Sequence, residues 1–585
     1  MFYRLRLTTL FCTLLTATPM VTYAQQSADA VAPESSTELT TQQSVTGQDW
    51  MVASANPYAS EAGAQMLRQG GNAIDAMVAT QLVLGLVEPQ SSGIGGGAFL
   101  VYWDQSQKAI TTLDGRETAP LAATPELFLD KEGEPLKFYD AVVGGRSVGT
   151  PGTVKLMWDS HQKYGKLPWA DLFKPAIELA TAGFTVSPRL AALVAKDQQR
   201  LQQSASTKSY FFNQDGEPIQ AGATLKNPAY ANTLTAIAQQ GAQAFYRGKV
   251  AENIVNTVSN HSTNPGVLSL TDLAIYTTKQ RPAVCAPYHQ YSVCGMGPPS
   301  SGALTLGQIL GMLQHYPLAQ YGVDSIDSWR LIGDASRLAF ADRGRYMADS
   351  DFVPMPTAGL LDADYLAQRA KLLAEPKALA SVAAGSPPWS HAQNYALDES
   401  IELPSTSHFS IVDSERNMVS ITTTIENGFG SRLMVDGFLL NNELTDFSFR
   451  THKEGNPIAN RVEPGKRPRS SMAPTIVLKE GQPYLAIGSP GGSQIIGYVA
   501  KTLIAHLDWG LDLQQAVNLP NMNNRFGTFE LEKGTDAERW APKLEQIGFK
   551  TKIRDLNSGV QVIQLQDKQL VGAADPRREG LVVAQ

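Results

Sequence analysis

Five polar side chains in this sequence are of the types that bind an α-amino acid. Such a ligand needs a cation for its carboxylate, and Arg116 offers a planar guanidinium that can donate two parallel hydrogen bonds. It also needs an anion for its ammonium group, which Asp446 or Glu443 can supply. Ser470 and Ser471 can add hydroxyl donors to the carboxylate. Together these residues predict a binding site for an amino-acid-like ligand.

Two adjacent glycines add a catalytic possibility. Gly491 and Gly492 have no side chains, so their backbone N–H groups could approach a developing oxyanion. Taken alone, each of these features also has a simpler interpretation. Arg116 would be a surface ion-pair residue, and the Ser-Pro-Gly-Gly string at 489–492 would be an ordinary turn.

A hydroxyl-rich β-hairpin is the predicted element that positions this chemistry. Strand-like runs at 406–412 and 418–425 flank a polar turn at 413–417. Centring the turn on Glu415 predicts these cross-strand pairs: Val412 with Met418, Ser410 with Ser420, His408 with Thr422, and Thr406 with Thr424.

Period-two alternation divides this hairpin into two faces. The apolar face carries Phe409, Ile411, Val419 and Ile421. The other face carries hydroxyls and one imidazole, from Thr406, His408, Ser410, Ser420, Thr422 and Thr424. The second face is either the solvent side of a half-exposed sheet or one wall of a reaction site. We interpret His408 as structural.

Helix and strand patterns alternate along the rest of the chain. Predicted helices span 72–87, 169–182 and 328–342, and a further helix is predicted to begin at Thr150-Pro151. The first is apolar on nearly all sides, which is typical of a buried core helix. Predicted strands outside the hairpin span 98–103, 475–478 and 484–487. This mixture indicates a layered α/β or α+β protein.

Length and composition are those of a large globular protein. The 585 residues are 43% hydrophobic and 18% charged, which excludes disordered, collagen-like and coiled-coil classes. The net charge is −7, and no long run of like charges offers an electrostatic footprint for nucleic acid. We therefore expect no nucleic-acid partner.

The first 24 residues are typical of a secretory signal peptide. Arg4 and Arg6 precede an apolar stretch of about 15 residues, which is shorter than the roughly 20 residues that span a bilayer. We expect removal of residues 1–24, a flexible leader over 25–47, no membrane span in the mature protein, and a periplasmic or secreted location.

Two cysteines remain after the signal peptide. Cys285 and Cys294 would lie opposite each other on a hairpin if a turn falls near the midpoint between them. In an oxidising compartment they could form a disulfide, and the alternative is two ordinary buried thiols.

The segments described above resemble the γ-glutamyltranspeptidases, also called glutathione hydrolases, of the N-terminal-nucleophile hydrolase superfamily. The resemblance covers about residue 48 to the end. Its most specific motifs are Thr406-Ser407-His408-Phe409-Ser410 with Thr424, Asn441-Asn442-Glu443, Asp446-Phe447, Arg467-Pro468, Ser470-Ser471-Met472 and Gly488-Ser489-Pro490-Gly491-Gly492-Ser493. Upstream, Gly70-Gly71-Asn72-Ala73, Gly95-Gly96-Gly97, Arg116-Glu117 and Pro298-Pro299-Ser300-Ser301-Gly302 also fit the family's pattern.

This resemblance implies a self-cleaving proenzyme with an α+β fold, a four-layer αββα sandwich in which two antiparallel sheets lie between helical layers. Cleavage between Ser405 and Thr406 would give a large subunit of residues 48–405 and a small subunit of residues 406–585, which together form one αββα unit. The freed α-amino group of Thr406, with a reference pKa of about 7.7 to 8.0, would act as base for its own hydroxyl. Thr424 would orient this nucleophile.

The resemblance also implies a reaction and its partners. The γ-glutamyl group of glutathione and related compounds would pass to Thr406 as an ester, and then to water or to an amino-acid or dipeptide acceptor. Three roles are implied for the other site residues: Arg116, Ser470 and Ser471 for the glutamyl carboxylate, Glu426, Glu443 and Asp446 for its ammonium, and Gly491 and Gly492 for the oxyanion. No metal or organic cofactor is implied.

Two features depart from the family's pattern. Glu426 stands where many members carry Asn, which adds an acid beside the ammonium. Residues 450–467 contain no Tyr or other large aromatic residue to gate the pocket, which leaves the acceptor preference open.

Other functions fit parts of the sequence. Gly145-Arg146-Ser147-Val148-Gly149 matches a serine-hydrolase motif, but that motif needs a helix directly after the serine. Residues 93–98 resemble a dinucleotide loop, yet a strand-like run follows them where a helix is required. An exported amino-acid-binding protein would remain one chain. A cephalosporin or glutaryl acylase of the same superfamily would need no partner for an α-ammonium, so Asp446 and Glu443 favour a γ-glutamyl substrate.

Overall fold

The structure is a computed structural model that describes residues 42–391, 394–398, 400, 402–403 and 405–585. The predicted signal peptide and most of the predicted leader lie outside these residues. Within the part of the chain that is described, no helix is both long enough and apolar enough to cross a membrane.

Two seven-stranded sheets form the centre of the protein. In spatial order, sheet I contains Leu581–Ala584, Met51–Ser54, Ser407–Val412, Met418–Thr424, Gly97–Asp104, Ala109–Gly115 and Lys279–Arg281. In spatial order, sheet II contains Val45–Gly47, Gln569–Ala574, Gln561–Gln566, Gln482–Gly488, Thr475–Lys479, Tyr291–Gly295 and Val284–Tyr288. All strand pairings in both sheets are antiparallel.

Helices cover the outer face of each sheet. One apolar core joins sheet I to the helices Pro57–Arg68, Ala73–Val87, Thr153–Tyr164, Lys174–Ala182, Pro188–Lys196, Gln198–Leu201, Ala205–Phe211, Pro228–Gln240, Gln243–Tyr246, Gly248–Ser259 and Leu270–Ile275. A second core lies between the sheets and joins sheet II to the helices Gly302–Leu313, Leu318–Tyr321, Ile326–Tyr346, Ala363–Lys371, Ile495–Leu507, Leu513–Asn518 and Ala541–Gln546. The four layers confirm the predicted α+β, αββα fold class.

Smaller elements connect these layers. Two short helices, Phe138–Val142 and Thr357–Leu360, lie outside the two main cores. Short strands form small separate sheets: Phe184–Thr185 with Thr224–Leu225, Met434–Val435 with Phe438–Leu439, His452–Lys453 with Asn456–Pro457, and Met522–Asn524, Thr528–Glu532 and Lys550–Arg554. The 3₁₀ helices span Gly145–Ser147, Trp169–Phe173, Glu443–Asp446, Gly492–Gln494 and Asp536–Trp540.

The helix Ala73–Val87 is buried along its whole length, as its apolar pattern predicts. Asn72 caps it by accepting hydrogen bonds from the N–H groups of Ile74 and Asp75, and the Asp75 carboxylate accepts one from the Asn72 N–H. The helix ends at Val87, and the Glu88 side chain and Gln90 carbonyl that follow it accept hydrogen bonds from the Ser407 and Ser405 hydroxyls.

The hairpin of sheet I has the predicted register. Ser410 pairs with Ser420, His408 pairs with Thr422, and Val412 pairs with Met418. Its apolar face contributes Phe409, Ile411, Val419 and Ile421 to the core beneath the first helical layer. One-residue slippage would expose all four of these side chains to the polar layer, which is why the alternation fixes the register.

The hydroxyl face of this hairpin is buried rather than half exposed, because sheet II covers it. The Ser410 hydroxyl donates to the Gln561 carbonyl at 3.1 Å, and the Ser420 hydroxyl donates to the Ile487 carbonyl at 3.0 Å. His408 bonds the hydroxyls of Thr422 and Ser410 and is fully buried. Burial lowers the pKa of His408 to about 3, so the imidazole is a neutral part of this layer.

Three sequence predictions about local structure need correction. The helix predicted from Thr150-Pro151 begins at Thr153, because the Thr150 N–H bonds the Thr118 carbonyl and the Gly152 N–H bonds the Gly96 carbonyl. The segment 169–182 begins as a 3₁₀ helix over Trp169–Phe173 before the α-helix that Gly183 closes. The predicted leader extends too far, since Val45–Gly47 pair with the strand Gln569–Ala574 at the edge of sheet II.

Cys285 and Cys294 are joined by a disulfide. They are directly opposite each other in the antiparallel pair formed by Val284–Tyr288 and Tyr291–Gly295, as the hairpin prediction required. Of the two alternatives that the sequence left open, the structure has the disulfide.

Candidate active site

A solvent-open cavity with ≈ 250 Å³ of empty space, part of it open solvent, lies at the end of the sheet I hairpin. The residues that line it are Arg116, Glu402, Leu403, Thr406, Thr424, Glu426, Glu443, Asp446, Ser470, Ser471, Met472, Gly492 and Ile495. The structure therefore brings together every predicted substrate-binding residue with Thr406, Thr424 and Gly492. Gly491 is adjacent to this lining but is not part of it.

The peptide bond between Ser405 and Thr406 is surrounded by hydroxyl groups. The Thr406 hydroxyl donates to the Ser405 carbonyl at 2.6 Å, and the Thr424 hydroxyl donates to the same oxygen at 3.0 Å. The two threonine hydroxyl oxygens are 3.3 Å apart. Thr424 thus lies opposite Thr406, as the register predicts, and its hydroxyl polarises the Ser405 carbonyl.

Neighbouring elements hold this peptide bond in place. The Ser405 hydroxyl donates to the Gln90 carbonyl at 2.8 Å, and the Ser407 hydroxyl donates to Glu88 at 2.9 Å. The Arg578 guanidinium donates to the Thr406 carbonyl at 3.0 Å. The end of the buried helix Ala73–Val87 and the C-terminal segment therefore fix the backbone on both sides of Thr406.

Arg116 is buried against the acids predicted to hold an ammonium group. Its guanidinium bonds Glu443, and it bonds Asp446 at 2.6 Å. It also donates to the carbonyls of Pro468 and Arg469 at 3.2 and 2.8 Å. Burial opposes the charge of Arg116, but Glu443 and Asp446 outweigh this and raise its pKa above the usual value.

Four buried acids lie around this guanidinium. Burial raises the pKa values of Glu426, Glu443 and Asp446 well above their usual range, and Arg116 only partly offsets the effect. Burial likewise raises the pKa of Glu117 to about 8. One arginine cannot neutralise four carboxyl groups, so the site favours an added cation or bound protons.

A backbone turn positions the acidic residues. The 3₁₀ helix Glu443–Asp446 follows Asn441, whose side chain bonds the carbonyls of Gly95 and Gly149 at 2.8 and 2.9 Å and accepts from the Glu443 N–H at 3.0 Å. Asn441 therefore ties the acidic turn to the Gly-rich loop that precedes the strand Gly97–Asp104.

The Gly491-Gly492 turn passes close to residues 402–403, which precede the Ser405–Thr406 peptide bond. Gly491 has φ 137° and Gly492 has φ 56°, which are left-handed conformations that favour glycine. A Cβ atom on Gly492 would lie 2.7 Å from the Leu403 carbonyl oxygen. Glycine is therefore required both by the backbone angles and by the close approach of residue 403.

Several residues at the site were not found from the sequence. Glu402 and Leu403 line the cavity, and Arg343 and Arg469 bond the Glu402 side chain. Glu402 lies in a segment without periodicity, and Arg343 lies just past the predicted end of its helix. Arg469 belongs to a quoted motif, but nothing in its spacing distinguished it from its neighbours.

The serine-hydrolase alternative fails on geometry. Ser147 lies in the 3₁₀ helix Gly145–Ser147, where its buried hydroxyl donates to the Val142 carbonyl at 2.6 Å. No strand-to-helix elbow presents it to a cavity. Within the described part of the chain, His408 bonds only the hydroxyls of Thr422 and Ser410, in agreement with a structural role.

Potential metal ligands do not cluster in the described segments, which contain no group of three or more His, Cys, Asp or Glu side chains arranged to hold an ion. The side chains that line the cavity are instead suited to bind an organic zwitterion. An αββα sandwich with a threonine at the start of a central strand is the arrangement of an N-terminal-nucleophile hydrolase.

Comparison with known proteins identifies the family. The family model described as gamma-glutamyltranspeptidase matches residues 59–585, and the chain belongs to this family. It is 38% identical over 549 residues to the glutathione hydrolase proenzyme of Bacillus subtilis strain 168, covering 92% of each chain. It is 35% identical over 541 residues to the glutathione hydrolase proenzyme of Escherichia coli K12, covering 90% of each.

A solved structure extends the comparison. The cephalosporin acylase of Bacillus halodurans superposes with a TM-score of 0.82 at 26% sequence identity, covering 94% of this chain and 99% of that one. The fold is therefore shared with an enzyme whose name indicates a different acyl group, so the side chains of the site have to decide the substrate.

Proposed function

We propose that this protein is a self-processing γ-glutamyltransferase and glutathione hydrolase. The observation that carries the proposal is the meeting of three groups at one cavity: the Thr406 and Thr424 hydroxyls on the Ser405 carbonyl, and a buried set of one arginine and three acids. The first two supply an acyl-transfer centre. The charged set supplies recognition of an α-amino acid.

Maturation is the first reaction. The Thr406 hydroxyl oxygen attacks the Ser405 carbonyl carbon, the C–N bond breaks, and the hydroxyl proton passes to the departing amine. Water then hydrolyses the resulting ester, which leaves a Ser405 carboxylate and a free Thr406 α-amine and hydroxyl. The Thr424 hydroxyl stabilises the carbonyl oxygen as it becomes negative, which the 3.0 Å contact supports. The products are a large subunit ending at 405 and a small subunit of residues 406–585.

Turnover uses the same hydroxyl. The free α-amine of Thr406 takes the proton from its own hydroxyl, which attacks the γ-carbonyl of the donor and forms a threonyl ester. Gly491 and Gly492 stabilise the oxyanion through their backbone N–H groups. Water, or the amine of an amino acid or dipeptide, then attacks the ester and releases the γ-glutamyl group.

The acids of the cavity account for the glutamyl specificity. Glu443 Oε2 and Asp446 Oδ1 are buried and accept no hydrogen bond from any described residue. An α-ammonium would donate to these oxygens and balance the excess of carboxylates, with Glu426 as a third neighbour. Arg116, Ser470 and Ser471, which line the same cavity, would hold the α-carboxylate.

The Cys285–Cys294 disulfide supports export to an oxidising compartment, together with the predicted signal peptide at residues 1–24. We place the mature enzyme in the periplasm or the medium on this basis.

An acylase function is the second candidate, because the structural similarity to a cephalosporin acylase favours it. The two functions differ in what the acyl group carries on its α-carbon. A glutaryl group has no ammonium there, so it would leave the buried oxygens Glu443 Oε2 and Asp446 Oδ1 without a donor, at a cost of about 1 to 3 kcal/mol for each unsatisfied group.

The test compares two donors that differ only in the α-ammonium: γ-glutamyl-p-nitroanilide and glutaryl-p-nitroanilide. We expect kcat/KM to favour the γ-glutamyl donor at least about 100-fold. Asp446→Asn should lower kcat/KM for the γ-glutamyl donor more than it lowers kcat/KM for the glutaryl donor. Equal kcat/KM for the two donors, or preference for the glutaryl compound, would replace the proposed function with acylase activity.

A further inference from the structure

A second cationic cluster, Arg343 with Arg469, contacts two residues of the cavity lining, Glu402 and Ser471. Arg343 belongs to the helix Ile326–Tyr346, and Arg469 belongs to the loop that precedes Ser470. Both are buried, with side chains 4% and 1% exposed. The reaction proposed for Thr406 does not involve the side chain of either residue.

The cluster already binds a carboxylate, and that carboxylate is Glu402. The Arg343 guanidinium bonds Glu402 and also donates to the Ser471 hydroxyl at 2.6 Å. Ser471 in turn donates to the second Glu402 oxygen, and Arg469 approaches the first at 3.4 Å. Burial alone raises the pKa of Glu402, but Arg343 and Arg469 outweigh it and lower the pKa to about 2.

The carboxylates that neutralise this cluster come from one short segment. Among the described residues, Arg343 pairs with Glu402, and Arg469 pairs with Glu402 and with Asp398 at 3.0 Å. Arg469 also donates to the Ser400 hydroxyl. All of these partners precede the scissile bond by eight residues or fewer. Cleavage after Ser405 frees that segment at its C-terminal end.

Departure of the segment would leave two adjacent guanidiniums buried without a carboxylate. Burial, followed by repulsion from Arg469, already lowers the pKa of Arg343 to about 10 while Glu402 is in place. A buried unpaired charge is costly, so the emptied cluster would bind an anion in place of Glu402.

Arg116 differs in this respect. Its partners Glu443 and Asp446, and the carbonyls of Pro468 and Arg469, all lie after the cleavage point and remain with the small subunit. The charge of Arg116 therefore stays balanced after processing, whereas the charges of Arg343 and Arg469 are balanced by the segment that processing frees at one end.

We propose that Arg343 and Arg469, with Ser471, form an anion subsite that holds Glu402 in the precursor and a carboxylate of the γ-glutamyl ligand in the processed enzyme. This proposal rests on the proposed function. The ligand carboxylate has two possible sources, the α-carboxylate of the glutamyl group or a carboxylate on the leaving group, and the experiment separates them.

The first experiment measures KM and kcat of processed Arg343→Met with two donors. γ-Glutamyl-p-nitroanilide carries only the α-carboxylate, whereas glutathione also carries one on its glycine. We expect KM to rise about 10- to 100-fold with kcat changed less, and Arg343→Lys to recover part of the loss. If KM rises for both donors, the subsite binds the α-carboxylate of the glutamyl group. If KM rises for glutathione alone, the subsite binds the carboxylate of the leaving group.

The control is Arg337→Met, which removes an arginine from the same helix where it bonds Asp334 rather than the cavity. It should leave both KM values within about 2-fold, since it touches no cavity residue. Unchanged KM values in Arg343→Met with both donors would overturn the proposal while leaving the proposed function intact.

A second measurement uses the processed wild type and does not depend on maturation of a variant. The peptide Asp-Glu-Ser-Ile-Glu-Leu-Pro-Ser, residues 398–405, should compete with γ-glutamyl-p-nitroanilide, and the same peptide with Glu402→Gln should compete at least about 10-fold more weakly. Equal inhibition by the two peptides, or none by either, would overturn the subsite. Turnover of the donor by the wild type tests the proposed function separately.

Discussion

At the scale of single residues, the Thr424 hydroxyl has the contact most directly tied to maturation. It donates at 3.0 Å to the Ser405 carbonyl oxygen, which would become negative in the proposed attack by Thr406. We expect Thr424→Val to slow self-cleavage about 100- to 1000-fold, because it removes one donor to that oxyanion. The measurement is the fraction of cut chain against time after purification.

Thr423→Val is the matched control for this prediction. The Thr423 hydroxyl is buried one residue away and has no hydrogen-bond partner among the described residues. Its loss should leave the cleavage rate within a few-fold of the wild type. Equal slowing in the two variants would show that Thr424 acts through packing rather than through its bond to Ser405.

At the scale of elements, the central hairpin was predictable and its surroundings were not. Alternation of apolar and hydroxyl side chains allows one register, and the observed pairing of Ser410 with Ser420 is in that register. The burial of the hydroxyl face was not predictable, because the covering sheet II is assembled from distant segments.

The residues of the candidate site also divide into those that the sequence could identify and those that only the packing reveals. Residues in compact motifs, such as Arg116 and Asp446, could be found from the sequence because their side-chain chemistry is distinctive. Arg343 and Glu402 could not, because only the packing of a helix against an irregular segment brings them together. The helix start at Thr150 was wrong for a related reason, since a long-range backbone bond to Thr118 holds that residue in extended structure.

The burial of His408 between the sheets predicts that the stability of the fold depends on pH. Burial lowers the pKa of His408 to about 3, whereas in the unfolded chain it is about 6.5. The unfolded state therefore binds a proton below pH 6.5 that the folded state rejects, and stability is lost as the pH falls. At pH 5, His408 lowers the free energy of unfolding by roughly 2 kcal/mol through this effect.

Thermal unfolding at pH 7 and pH 5 checks this sign. We expect the midpoint of wild type to fall over that range by more than the midpoint of His408→Gln, whose side chain does not titrate. An equal fall in both proteins would mean that His408 takes up a proton in the folded state.

At the scale of the whole molecule, the two expected subunits share both central sheets. Sheet I places Ser407–Val412 between Met51–Ser54 and Met418–Thr424, and sheet II pairs Thr475–Lys479 with Tyr291–Gly295. Strands from both sides of the cleavage point therefore hydrogen-bond to one another along their lengths.

Cleavage should for this reason leave the molecule assembled. We expect the two fragments to elute together in size-exclusion chromatography under native conditions and to separate only in denaturant. Separation of the fragments without denaturant would contradict the interleaved arrangement of the strands.

The central claim is that Thr406 cuts the chain before itself and then serves as the nucleophile. Intact mass with N-terminal sequencing, for wild type beside Thr406→Ala, tests it most directly. The account predicts a wild-type fragment of residues 406–585 that begins Thr-Ser-His-Phe, and a variant that stays whole. A single uncut chain in both proteins, or a wild-type cut at another bond, would contradict it.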